Sequence, residues 1–130
     1  MGDPISLTAS QIRYLLTMKD LDHEGIGVRG IKVASALGFS RPSVHTMLNT
    51  FREMGLIRKD DYGIARFTDL GLEIVTRYSC YYQSLIRVLA AYFPPDEHLQ
   101  AAVYAFMAEI PENRLKALAC GYQKAAQRPN

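Results

Sequence analysis

Apolar residues recur along most of this chain at intervals of three and four, the period of helices that bury one side. A first helix is predicted from Thr8, where Thr8 and Gln11 have the spacing of a capping box, and Ile12, Leu15, Leu16 and Met18 face a core. The charged run from Lys19 to Glu24 predicts a solvated helix end and turn. A short second helix is expected over residues 28–37, with Ile31, Val33, Ala34 and Leu37 apolar and Gly38 at its exit. A third is punctuated at both ends: Ser40 can cap it, Pro42 sits in the first turn, and Gly55 can close it. Its buried stripe is Val44, Met47, Leu48, Phe51 and Met54.

The period then changes. Residues 56–59 and 64–67 are two short runs around Asp60-Asp61-Tyr62-Gly63, which predicts a β-hairpin with Ile57, Ile64 and Phe67 inward. A long helix follows from Thr68 or Asp69, with Val75, Tyr78, Tyr82, Leu85, Leu89 and Tyr92 spaced as a helix-packing seam. Pro94-Pro95 ends it. Asp96 caps the next helix, whose stripe is Leu99, Ala102, Val103, Phe106 and Met107, and a last helix is expected from Pro111 through Leu115, Leu118 and Tyr122, fraying after Gln123. The expected fold is therefore mainly α with one small β-hairpin: a winged helix-turn-helix over residues 1–67 and a helical dimerisation region over residues 68–130.

The polar side of the third helix carries Arg41, Pro42, Ser43, His45, Thr46, Asn49 and Arg52, crowded towards its first turns. Short hydrogen-bonding side chains and cations are the types that meet phosphates and base edges in a major groove. Arg58, Lys59 and Arg66 flank the hairpin tip, where a wing would lie beside a phosphate backbone. The apolar surface of the long helix and its successor exceeds what one core needs. That excess predicts a twofold homodimer through Tyr78, Tyr82, Leu85, Leu89, Val103 and Phe106.

Composition adjusts this picture only slightly. The 130 residues are 48% hydrophobic, with a formal net charge of +2, and the excess lies up to Phe67, where nine Lys/Arg face seven Asp/Glu. Gly25-Ile26-Gly27-Val28-Arg29-Gly30 matches a dinucleotide fingerprint, but no buried strand precedes it and no βαβ unit follows, so the glycines are read as turn residues. Cys80 and Cys120 have no metal or redox spacing and are expected to be buried or idle. No nucleophile–base pair, paired carboxylates or metal cluster is evident, which argues against an enzyme and implies no cofactor. No run reaches membrane-spanning length and the opening residues lack a signal peptide's features, so a cytoplasmic protein is expected.

Between Thr8 and Leu89 the chain resembles the iron-dependent repressors, the diphtheria-toxin-repressor and manganese-transport-regulator family. The likeness is carried by residues 37–44 (Leu-Gly-Phe-Ser-Arg-Pro-Ser-Val), residues 51–57 (Phe-Arg-Glu-Met-Gly-Leu-Ile), the short wing and residues 67–71 (Phe-Thr-Asp-Leu-Gly). It implies a dimeric, cytoplasmic, DNA-binding transcriptional regulator in which Ser40, Pro42 and Ser43 meet phosphate and sugar while His45 and Thr46 approach bases. The family's metal ligands fall at Ser10, Tyr82, Val103, Phe106 and Met107, which do not suit a hard or borderline divalent cation, so the metal switch is expected to be missing. The competing expectation is a winged-helix protein-interaction module that has lost DNA binding. A small-molecule effector, for which Tyr78, Tyr81, Tyr82 and Tyr104 are the candidates, is not specified by the pattern.

Overall fold

The caps read from the sequence form their bonds in the computed structural model, which describes residues 5–117. Helix α1 (Ala9–Leu21) begins with the reciprocal box: Gln11 N donates to Thr8 Oγ1 at 3.1 Å, and Thr8 N to Gln11 Oε1 at 3.0 Å. Between α1 and the next element the structure departs from expectation. Val28–Arg29 is a strand, β1, and α2 starts only at Gly30 and runs to Leu37. Gly27 makes this possible. Its φ is +97°, its N–H donates to Asp22 Oδ1 at 2.8 Å, and an added Cβ would stand 2.5 Å from Ile64 Cγ2.

Gly38, at φ +72°, closes α2 with its N–H on the Ala34 carbonyl, and Ser40 opens α3 (Arg41–Glu53). The chain turns again at Gly55, where Leu56 N donates to the Phe51 carbonyl at 2.9 Å. It then forms β2 (Ile57–Lys59) and β3 (Ile64–Phe67). The wing is thus a three-stranded antiparallel sheet of order β1-β3-β2, with Val28 opposite Ala65 and Arg58 opposite Arg66. Ala65 is buried while Ile64 and Phe67 are half-buried, which corrects the inward pair expected at 64 and 67. Residues an odd number apart cannot share one face of a strand.

Thr68 caps α4 (Asp69–Leu89), accepting from Gly71 N at 3.0 Å while its hydroxyl donates to the Gly55 carbonyl at 2.6 Å. The helix ends at Leu89, four residues before the expected Phe93, and turns continue to Phe93. In α5 (Glu97–Glu109), Asp96 Oδ1 accepts from His98 N and Leu99 N. Residues 112–117 are helical; Leu118, Cys120, Tyr122 and the fraying end expected after Gln123 lie outside the described residues.

The described residues fall into two compact units: Arg13–Thr76, and residues 5–12 together with residues 77–117. In the first unit Phe51 is fully buried, with the Tyr14 ring edge-on to it at 6.3 Å. In the second, Arg77 holds Glu112 through two bonds, Nε to Oε2 at 2.8 Å and Nη2 to Oε1 at 3.2 Å, and the Tyr81 hydroxyl donates to Oε2 at 2.8 Å. Burial works to raise the Glu112 carboxyl, but the Arg77 and Tyr81 bonds outweigh it and hold the group below its ordinary value. Burial, and then the Glu112 carboxylate, push the Tyr81 hydroxyl upward. Among the described residues, no helix is long and apolar enough to cross a membrane.

Candidate nucleic-acid interface

Helix α3 buries Val44, Leu48 and Phe51, and helical spacing then turns Arg41, Pro42, Ser43, His45, Thr46 and Arg52 outward, all exposed. Asn49 lies half-buried on the same side. Several polar groups there are already occupied. Ser40 Oγ accepts from Ser43 N at 3.2 Å and donates to Ser43 Oγ at 2.9 Å, so this pair fastens the helix start. Thr50 Oγ1 donates to the Thr46 carbonyl at 3.1 Å. Asn49 Nδ2 lies 3.2 Å from His45 Nε2, joining two of the expected base-reading residues.

The wing pairs one of its cations with a carboxylate. Arg58 and Arg66 are directly opposed across β2 and β3, an unfavourable juxtaposition unless something offsets it. Asp60 does so for one of them: Arg66 Nη1 donates to Asp60 Oδ2 at 3.0 Å, while Asp60 Oδ1 accepts from Ile64 N and Tyr62 N. The Ile64 bond is the main cause holding this carboxyl below the usual carboxylate range, with the Tyr62 bond and Arg66 adding to it against desolvation. Asp60 is therefore the latch of the wing turn, and Arg66 is committed to it.

Arg58, exposed, and Lys59, half-buried, line a depression of about 670 Å³ with Arg52, Gly55, Thr68 and Asp69, and an adjoining one of about 440 Å³ that they share with Asp60 and Arg66. Arg52 belongs with the wing cations in this respect. Its helical position, in the last turn of α3 and three residues before Gly55, is the signal that could have grouped it with them. Three cations face one carboxylate in the larger depression, which suits an anion.

The expected dimer residues divide by burial. Tyr78, Leu85 and Val103 are buried within the single chain. Seam spacing is satisfied equally well inside one chain. Tyr82 is half-buried and stacked on Tyr104 at 5.0 Å, Leu89 is half-buried, and Phe106 is exposed, as are Val88, Tyr92 and Phe93. At the positions of the resembled family's metal ligands, Val103 and Met107 are buried and apolar, a donor set that does not fit a divalent cation.

Comparison with known proteins agrees with this architecture. Residues 27–61, which span β1, α2, α3 and β2, match the IclR helix-turn-helix domain. A comparison with curated protein sequences returned no match. Among solved structures, the chain is similar to the hypothetical protein SSo2273 from Sulfolobus solfataricus, at 21% identity and a TM-score of 0.64, covering 91% of each chain. It is also similar to the manganese regulator SloR, at 15% identity and a TM-score of 0.72, covering 87% of this chain and 53% of that one. For T. acidophilum IdeR the figures are 16% identity and a TM-score of 0.66, with 92% and 56% covered. The chain thus spans about half the length of SloR and IdeR. Its likeness to these structures is one of fold: a winged helix-turn-helix with a three-stranded wing, followed by helices.

Proposed function

We propose that this protein is a transcriptional regulator that binds double-stranded DNA as a homodimer in the cytoplasm, without the metal switch of the iron-dependent repressors and without enzymatic activity. The observation that carries the reading is the exposed polar side of α3, from Arg41 to Arg52, together with a wing whose Arg58 and Lys59 line an anion-suited depression. The helix-turn-helix match over residues 27–61 and the similarity to the manganese regulator SloR support it.

In this reading Arg41, Arg52, Arg58 and Lys59 meet phosphates, and Thr46, His45 and Asn49 face base edges. Ser40, Pro42 and Ser43 set the start of the helix against the backbone, with Ser40 and Ser43 already bonded to each other. Arg66 contributes through its latch with Asp60. The second copy docks on the exposed apolar surface at the end of α4 and on α5, where Val88, Tyr92, Phe93 and Phe106 reach solvent and Tyr82 and Leu89 lie half-buried. Twofold pairing would set two α3 helices on half-sites about one duplex turn apart, roughly 34 Å.

Selection of bound duplexes from a random pool, with and without manganese or iron, tests the proposal. One enriched, twofold-related sequence recovered equally in both conditions is expected. Enrichment only with metal would overturn metal independence. The competing reading, a protein-interaction module, draws on the ion-paired Arg66 and the net charge of only +2. Its signature is capture of one stable protein partner with no salt-sensitive duplex binding.

A further inference from the structure

On the outward side of α3, His45 and Asn49 stand one turn apart with Nε2 and Nδ2 at 3.2 Å. We propose that His45 is a positioning residue for Asn49, orienting its amide so that the outer edge reads adenine in the major groove. The inference rests on the DNA-binding reading above and deepens it. An asparagine amide that rotates freely presents its oxygen and nitrogen in either order, and only one order matches a given base edge at a fixed helix position. A neutral imidazole with its proton on Nδ1 has Nε2 available as an acceptor, and one of the two Nδ2–H bonds can be spent on it. Oδ1 and the remaining N–H are then left as a donor–acceptor edge. That edge is complementary to N7 and the N6 amino group of adenine, the bidentate pairing open to an asparagine side chain.

The neighbours leave this pair to act together. Thr50 donates its hydroxyl to the Thr46 carbonyl, and Ser43 accepts from Ser40, so neither offers the Asn49 amide a competing bond among those found. His45 is exposed and Asn49 half-buried, so altering them leaves the core of α3, Val44, Leu48 and Phe51, untouched.

The test uses the full chain and a fluorescein-labelled duplex taken from random-pool selection, with all four base pairs substituted in turn at each position of one half-site. Wild type should show one position at which adenine is preferred by roughly 5- to 150-fold, lost in Asn49→Ala. His45→Phe, which removes the acceptor, should lose the same preference and weaken salt-dependent binding no more than Asn49→Ala does. His45→Gln, which can place an acceptor oxygen near the same point, should restore it, and His45→Phe/Asn49→Ala should match Asn49→Ala alone. Full adenine preference in His45→Phe overturns the inference, as does a base profile that Asn49→Ala leaves unchanged; in both cases sequence-specific binding persists and the regulator reading stands. Absence of salt-sensitive duplex binding by wild type overturns both.

Discussion

The division of labour between Arg58 and Arg66 yields opposite predictions for two single substitutions in one wing. Each phosphate neutralised by a protein cation contributes about −0.9 to the slope of log affinity against log salt. Arg58 faces the depression shared with Arg52 and Lys59, so Arg58→Ala removes one such contact from each of two protomers and makes the slope shallower by about 1.8. Between about 50 and 200 mM salt that change is worth roughly tenfold in affinity. Arg66, in contrast, is held by Asp60 Oδ2 at 3.0 Å. Asp60→Asn keeps an oxygen to accept from Tyr62 N and Ile64 N but removes the charge that binds the guanidinium. Arg66 is then released to a phosphate, and the slope should steepen by up to about 1.8. Fluorescence anisotropy of one labelled duplex, titrated at five or so salt concentrations, measures both. A slope unchanged in Arg58→Ala, or a shallower one in Asp60→Asn, refutes the assignment of these two arginines.

Gly27→Ala should destabilise the fold by about 1–3 kcal/mol, since it combines a φ of +97° with a Cβ 2.5 Å from Ile64 Cγ2; a urea midpoint equal to wild type would contradict this. Glu112 has a carboxyl lowered in the folded state, so its contribution is present above the unfolded value, about 4.3, and is lost as pH falls through the folded one. Wild type should therefore lose Tm faster than Glu112→Gln as pH drops from about 5 to 3, and parallel curves would deny the linkage. Phe106→Glu places a charge on an exposed position of the proposed dimer face, and sedimentation should show a shift to monomer with Tm nearly unchanged. An unaltered dimer would move the interface elsewhere.

What could be read directly from the residues was local. The Thr8–Gln11 box, the Ser40 and Asp96 caps and the Gly38 and Gly55 helix ends are bonds between groups at most five residues apart, so the side-chain order already contains their geometry. The outward side of α3 followed from its period in the same way. Other features depend on residues that the chain brings together from a distance. Strand β1 is two residues long, too short to show a period, and exists because Val28 meets Ala65. The burial of Tyr78, Leu85 and Val103 could not be told from a dimer seam, because identical spacing serves packing within one chain and between two. Likewise, composition counts Arg58 and Arg66 as equal charges. Their different roles arise from a hairpin turn that folds Asp60 back onto one of them and leaves the other facing Arg52 and Lys59.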